Sequence, residues 1–175
     1  AKPADITVIP NTIDVAEYDS GGVQSIDAGY DLIFTGKMDY RPNVDGVLWF
    51  AEKVWPALQE ARPGITWAIV GQKPHPRLDA LHGREGIMVT GFVSQIQPYL
   101  AGASIYIVPL RIGSGTRLKI LEAMATGLSI ISTSIGAEGF DVENQREMVL
   151  ADSPGEWVEG ILRLLEDRER REEMG

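Results

Sequence analysis

With 175 residues, 44% of them hydrophobic and 23% charged, the chain has the composition of one folded globular domain and is short for two. Sixteen Lys and Arg stand against 25 Asp and Glu, and the net charge of −9 argues against a nucleic-acid or anionic-membrane binder held by general electrostatics, so any bound anion must be gripped locally. The absence of cysteine removes disulfides, thiolate metal sites and a cysteine nucleophile, and no apolar run reaches the roughly 18–20 residues of a membrane span.

Ala1 opens the chain without an initiator Met or an apolar leader, as an internal start would. Residues 1–28 read as a lead-in and interdomain linker, with an edge strand at 6–10 and a polar stretch carrying Gly21-Gly22. Residues 29–175 read as one domain. Its first strand is the short apolar run 31–36, closed by Gly36. Over 43–61 the apolar residues Val44, Val47, Leu48, Ala51, Val54, Trp55 and Leu58 recur at helical spacing, and Pro63-Gly64 ends the helix. Strands are expected at 65–70, 86–90 and 104–108, with a short helix over 95–103. A helix at 116–126 stops at Gly127, strands follow at 128–132 and 148–150, and an amphipathic helix over 155–173 ends in a solvated, charge-rich face. Strands alternating with helices imply parallel crossovers. The expected fold is a doubly wound, mainly parallel Rossmann-like α/β sheet with helices on both faces, whose ligands sit beyond the carboxyl ends of the strands.

The strand-to-helix loops therefore carry the functional reading, and the segment Pro109-Leu-Arg-Ile-Gly-Ser-Gly-Thr-Arg-Leu-Lys-Ile-Leu-Glu122 stands out. Gly113, Ser114, Gly115 and Thr116 give a flexible loop leading into a helix N-terminus, where unpaired N–H groups suit a phosphate. Arg117 and Lys119 fall in the expected first turn, against the helix dipole, and an anion bound in front would reverse that penalty. Arg111 lies in the same loop. The competing reading is a simple glycine turn with solvated cations. Glu122, one turn on, suits a ribose diol because a carboxylate accepts two hydrogen bonds; the alternative is an i,i+3 pair with Lys119. The loop lacks the third Gly of a dinucleotide fingerprint, no P-loop sequence occurs, and Ile112 and Thr116 occupy the glycine positions of a nucleophile elbow around Ser114. His75 and His82 are the only histidines and have no carboxylate array at ligand spacing, so they read as surface residues rather than metal ligands.

Several ordered segments resemble the carboxyl-terminal domain of retaining GT-B glycosyltransferases, the large family that includes sucrose synthases and bacterial mannosyltransferases. They are Val8-Ile-Pro-Asn-Thr-Ile-Asp14, Phe34-Thr-Gly-Lys37, Ile69-Val-Gly71, Val89-Thr-Gly-Phe-Val93, Leu121-Glu-Ala-Met-Ala-Thr-Gly127 and Ile130-Ile-Ser-Thr133. The resemblance implies that Glu122 binds the donor ribose, that Lys37, with Gly36 beside it, faces the diphosphate, and that the backbone around Phe92 and Val93 borders the base. It implies sugar transfer from a nucleoside-diphosphate sugar with retention, the donor being substrate, with no cofactor and no metal, and the departing diphosphate stabilised by cations and helix N–H groups. The chain departs from the pattern twice. Ser114 stands eight residues before Glu122, where a Glu often touches the donor sugar, and Asn43 stands where a second basic residue often follows Lys37. Arg117 or Lys119, with Arg111, is the expected replacement for that charge.

The expected partners are the donor and an amino-terminal acceptor domain absent from the chain, which alone should have little or no transferase activity. The resemblance points to the cytoplasm, free or peripheral to the inner face of a membrane. Two other readings stay open from the residues alone: a nucleotide-sugar epimerase of the same architecture, and a non-catalytic nucleotide-binding module.

Overall fold

The computed structural model describes residues 11–18 and 29–175. The strand expected at 6–10 and much of the lead-in lie outside the described residues. Six strands, β1 (Tyr30–Thr35), β2 (Trp67–Val70), β3 (Ile87–Val89), β4 (Ala103–Val108), β5 (Ser129–Ser132) and β6 (Val149–Leu150), form one sheet in the order β3-β2-β1-β4-β5-β6. Every pairing is parallel. This is the doubly wound Rossmann-type order, with its switch point between β1 and β4.

The central strands are apolar at consecutive positions because both faces are covered: Leu32, Ile33 and Phe34 of β1 and Ile105 to Val108 of β4 are all buried. β2 and β5 lie on opposite sides of the β1–β4 pair. Right-handed crossovers therefore carry α1 (Arg41–Lys53) and α2 (Trp55–Ala61) to one face and α4 (Leu118–Ala125) to the other. The short α3 (Gln97–Ala101) joins β3 to β4. On the α1 face, Phe50 meets Trp67 of β2 and Trp157 of α5 (Pro154–Glu166) edge to face, with centroids 4.8 and 5.4 Å apart.

Two helices expected as single are divided. The one over 43–61 breaks between α1 and α2 at Val54, because Pro56 lacks the N–H that would continue the ladder and sits instead in the first turn of α2. The last helix breaks at Asp167, whose side chain accepts from the Arg170 N–H and caps α6 (Arg168–Met174). The exposed charges of α6 form the pairs Arg168–Glu172 and Arg170–Glu173, as a solvated face should. A 3-10 helix at Pro76–Leu81 gives no periodic signal in the sequence and depends on His75, whose Nδ1 accepts from the Arg77 N–H. No helix among the described residues is long and apolar enough to cross a membrane.

Candidate functional site

A cleft of about 230 Å³ opens at the carboxyl ends of β1 and β2, lined among others by Gly36, Lys37, Gly71, Phe92, Val93 and Glu122. Its rim is held by backbone. The Gly36 N–H donates to Val70 O and the Met38 N–H to Gln72 O, tying the loops after β1 and β2 together. A Cβ on Gly71, where φ is +157°, would lie 1.7 Å from Gly36 O, so glycine there is required by contact as well as by conformation. The loop after β3 is steadied by Thr90, whose hydroxyl donates to Gly91 O, and it presents Phe92 with 75% of its surface exposed. An aromatic that exposed beside a cleft is free to lie against a flat ligand.

Glu122 reaches the cleft from the second turn of α4. Its Oε1 accepts from the Tyr18 hydroxyl at 3.2 Å. Below, the buried Thr35 and Tyr106 hydroxyls meet at 2.6 Å. Burial, with the Glu122 charge adding to it, pushes the Tyr18 phenol up to about 12. The Tyr106 phenol is pushed up mainly by burial, against the opposing Thr35 bond. Both phenols remain protonated at neutral pH.

Lys119 is partly buried. Its Nζ donates to Asn43 Oδ1 at 2.8 Å and sits 4.2 Å over the Phe34 ring, and a Cβ on Gly36 would come within 2.8 Å of it. Asn43, itself buried, donates through Nδ2 to Lys37 O, so one amide braces both the turn after β1 and the lysine. Burial pulls the Lys119 ammonium down to about 7; Glu122 opposes the shift and Arg117 adds to it. Lys37 is exposed and lies 3.6 Å from Asp39.

The loop before α4 corrects part of the sequence reading. Arg117 is the extended N-cap residue, not a first-turn residue, and its guanidinium donates to the carbonyls of Ser114 and Gly115. Arg111 forms a two-pronged pair with Asp45 on α1, both bonds 3.1 Å, and stacks at 5.6 Å over Trp49. The buried Nε of Arg117 keeps no hydrogen-bond partner among the described residues, Arg111 stays exposed, and Lys119 is turned towards Gly36 at the end of β1. Glu122 bonds Tyr18 and Lys119 bonds Asn43, in place of the i,i+3 pair considered for them. Gly113, Ser114, Gly115 and Thr116 remain at the mouth of α4, whose N-terminus has no side-chain cap and no acidic residue in its first turn. Gly113, with Ile112, borders a separate recess against Ser134, Ile135 and Glu138.

In sequence Asn43 reads as a missing charge and Tyr18 as linker, whereas the structure bonds them to Lys119 and Glu122. The first was legible only as a polar residue in a helix turn that follows a glycine; the second gave no signal, being 104 residues from its partner.

The sequence pattern of the glycosyl transferases group 1 family matches residues 29–167. An uncharacterized 44.6 kDa protein in the cps region of Klebsiella pneumoniae is 27% identical over 130 residues, which cover 70% of this chain and 34% of that protein. The fold is similar to HepE of Anabaena in complex with UDP-glucose (TM-score 0.73, 17% identity, 96% of this chain and 50% of that one). It is also similar to the C-terminal domain of LpcC, a group 1 glycosyl transferase of Francisella tularensis (TM-score 0.64, 16% identity, 94% and 88%). The chain thus spans about a third of the curated relative and nearly all of an isolated C-terminal domain.

Proposed function

The chain belongs to the glycosyl transferases group 1 family, and on that premise we propose that it binds the donor in an enzyme that transfers a sugar from a nucleoside-diphosphate sugar to an acceptor with retention. The observation that carries this reading is the convergence of Gly36, Gly71, Phe92 and Glu122 on one cleft at the carboxyl ends of the strands, with Lys119 braced beside it. Phe92 and the Val93 backbone border the base, Glu122 accepts from the ribose diol, and the diphosphate lies between Gly36, Lys37 and the uncapped N-terminus of α4. Lys119 supplies the second positive charge where Asn43 replaces a basic residue. As the bond to the sugar breaks, negative charge grows on the diphosphate, and an ammonium and helix N–H groups already aimed at it lower the barrier without reorganising. The loop at Gly113–Thr116 meets the sugar, with the Ser114 hydroxyl in place of a carboxylate.

The relatives support the donor class: HepE is described with UDP-glucose, and the Klebsiella protein lies in a cps region, which favours polysaccharide or glycoconjugate synthesis. The acceptor is assigned to the remainder of the protein, because the chain covers 34% of that relative. Calorimetry with UDP, GDP and ADP tests the reading. One of them should bind with release of heat and protect the chain against thermal unfolding; no binding by any of the three would count against the cleft as a donor site.

A further inference from the structure

The hydroxyl of Tyr18 donates to Oε1 of Glu122 at 3.2 Å across 104 residues of sequence. The contact is built on both sides. Asp14 accepts from the Ala16 N–H at 3.0 Å and caps the 3-10 turn Val15–Glu17, and the Tyr18 N–H closes that turn on Val15 O. The Tyr18 side chain is partly buried against the core, while Glu122 is fixed on α4 and lines the cleft. We propose that Tyr18 is a positioning residue that sets the carboxylate plane of Glu122 for a vicinal diol, making the segment before the sheet part of the donor site. This rests on the reading of Glu122 as the ribose ligand.

A carboxylate has about four lone-pair directions, and one bond from a phenol leaves both oxygens able to accept from the two ribose hydroxyls. An unbraced Glu side chain must lose rotamer freedom when the diol binds; one held by Tyr18 has lost part of it beforehand. This effect acts on the hydroxyl-dependent part of binding and leaves base and diphosphate contacts alone.

The test compares UDP, GDP and ADP with their 2′-deoxy forms by calorimetry, in the chain as it stands, in Tyr18→Phe and in Glu122→Ala. Wild type should prefer the ribose form of the nucleotide it binds by about tenfold, as one charge-assisted hydrogen bond allows, and Glu122→Ala should abolish that preference. Tyr18→Phe, which keeps the ring, should lower the preference about three- to tenfold, the deoxy form, which retains its 3′ hydroxyl, losing less affinity than the ribose form. If Tyr18→Phe leaves the preference unchanged, or weakens both forms equally, the positioning role is overturned and the ribose reading of Glu122 stands. If wild type shows no preference for ribose, or Glu122→Ala retains it, the ribose reading itself falls. Tighter binding of the ribose form by Tyr18→Phe would make Tyr18 a competitor of the ligand and overturn the proposal.

Discussion

Lys119 is the residue on which the donor chemistry can be read most finely. Its ammonium is pulled down to about 7 by burial, whereas a diphosphate beside it would favour the charged form. Binding should therefore take up close to one proton at pH 8 and about half a proton at pH 7, seen as a dependence of calorimetric heat on the buffer's ionisation enthalpy. Affinity should fall as pH rises above 7, and Lys119→Met should remove the proton uptake. The sign for folding is separate: the folded state disfavours the charged lysine, so the unfolded chain binds more protons between pH 7 and the ordinary lysine range, and this group's cost to stability shrinks as pH rises through that window. Phe92→Ala should weaken nucleoside and nucleoside diphosphate alike, while Lys119→Met should weaken only the diphosphate; equal losses in Lys119→Met would argue that the lysine does not meet the phosphates. Arg117 shows a limit of the sequence: its place at the N-cap and its bonds to the Ser114 and Gly115 carbonyls are not legible there. A cation next to a helix start looks the same in sequence whether it faces a ligand or folds back on its own carbonyls. The extended backbone of Arg117 puts it at the N-cap, and the sequence does not encode that conformation locally.

At the scale of elements, the strands were legible because buried parallel strands are short apolar runs, and β1, β2 and β4 hold buried residues along most of their length. The helix breaks were not, because an apolar stripe continues across Val54 while Pro56 interrupts only the backbone ladder. Gly46 tests the packing of α1 on the functional loop. It sits within the helix, where alanine would gain about 1 kcal/mol from propensity, yet a Cβ there would lie 2.5 Å from the carbonyl oxygen of Pro109, at the start of the loop that leads to α4. Overpacking against backbone costs about 1–3 kcal/mol. Gly46→Ala should therefore destabilise the chain in urea unfolding. A stabilised variant would mean that α1 does not rest on that loop as described.

At the scale of the molecule, the cleft lies along the open carboxyl edge of a single sheet, and the chain covers 50% of the HepE structure it resembles. A surface that holds a donor on one side needs a second wall to present an acceptor, so the chain by itself should turn over a nucleotide sugar at a small fraction of the rate of its full-length protein, measured by release of nucleoside diphosphate. Turnover equal to the full-length protein would place the acceptor site within these 175 residues. The position of the donor can be read in one experiment: titration of the 15N-labelled chain with UDP, GDP and ADP, following backbone amides by NMR. The largest shifts should fall on Gly36, Gly71, Phe92, Lys119 and Glu122, around the cleft and the N-terminus of α4. Shifts confined elsewhere, such as the recess between α1 and Arg77 and Arg84, or no shifts with any of the three, would contradict a donor site at the switch point of the sheet.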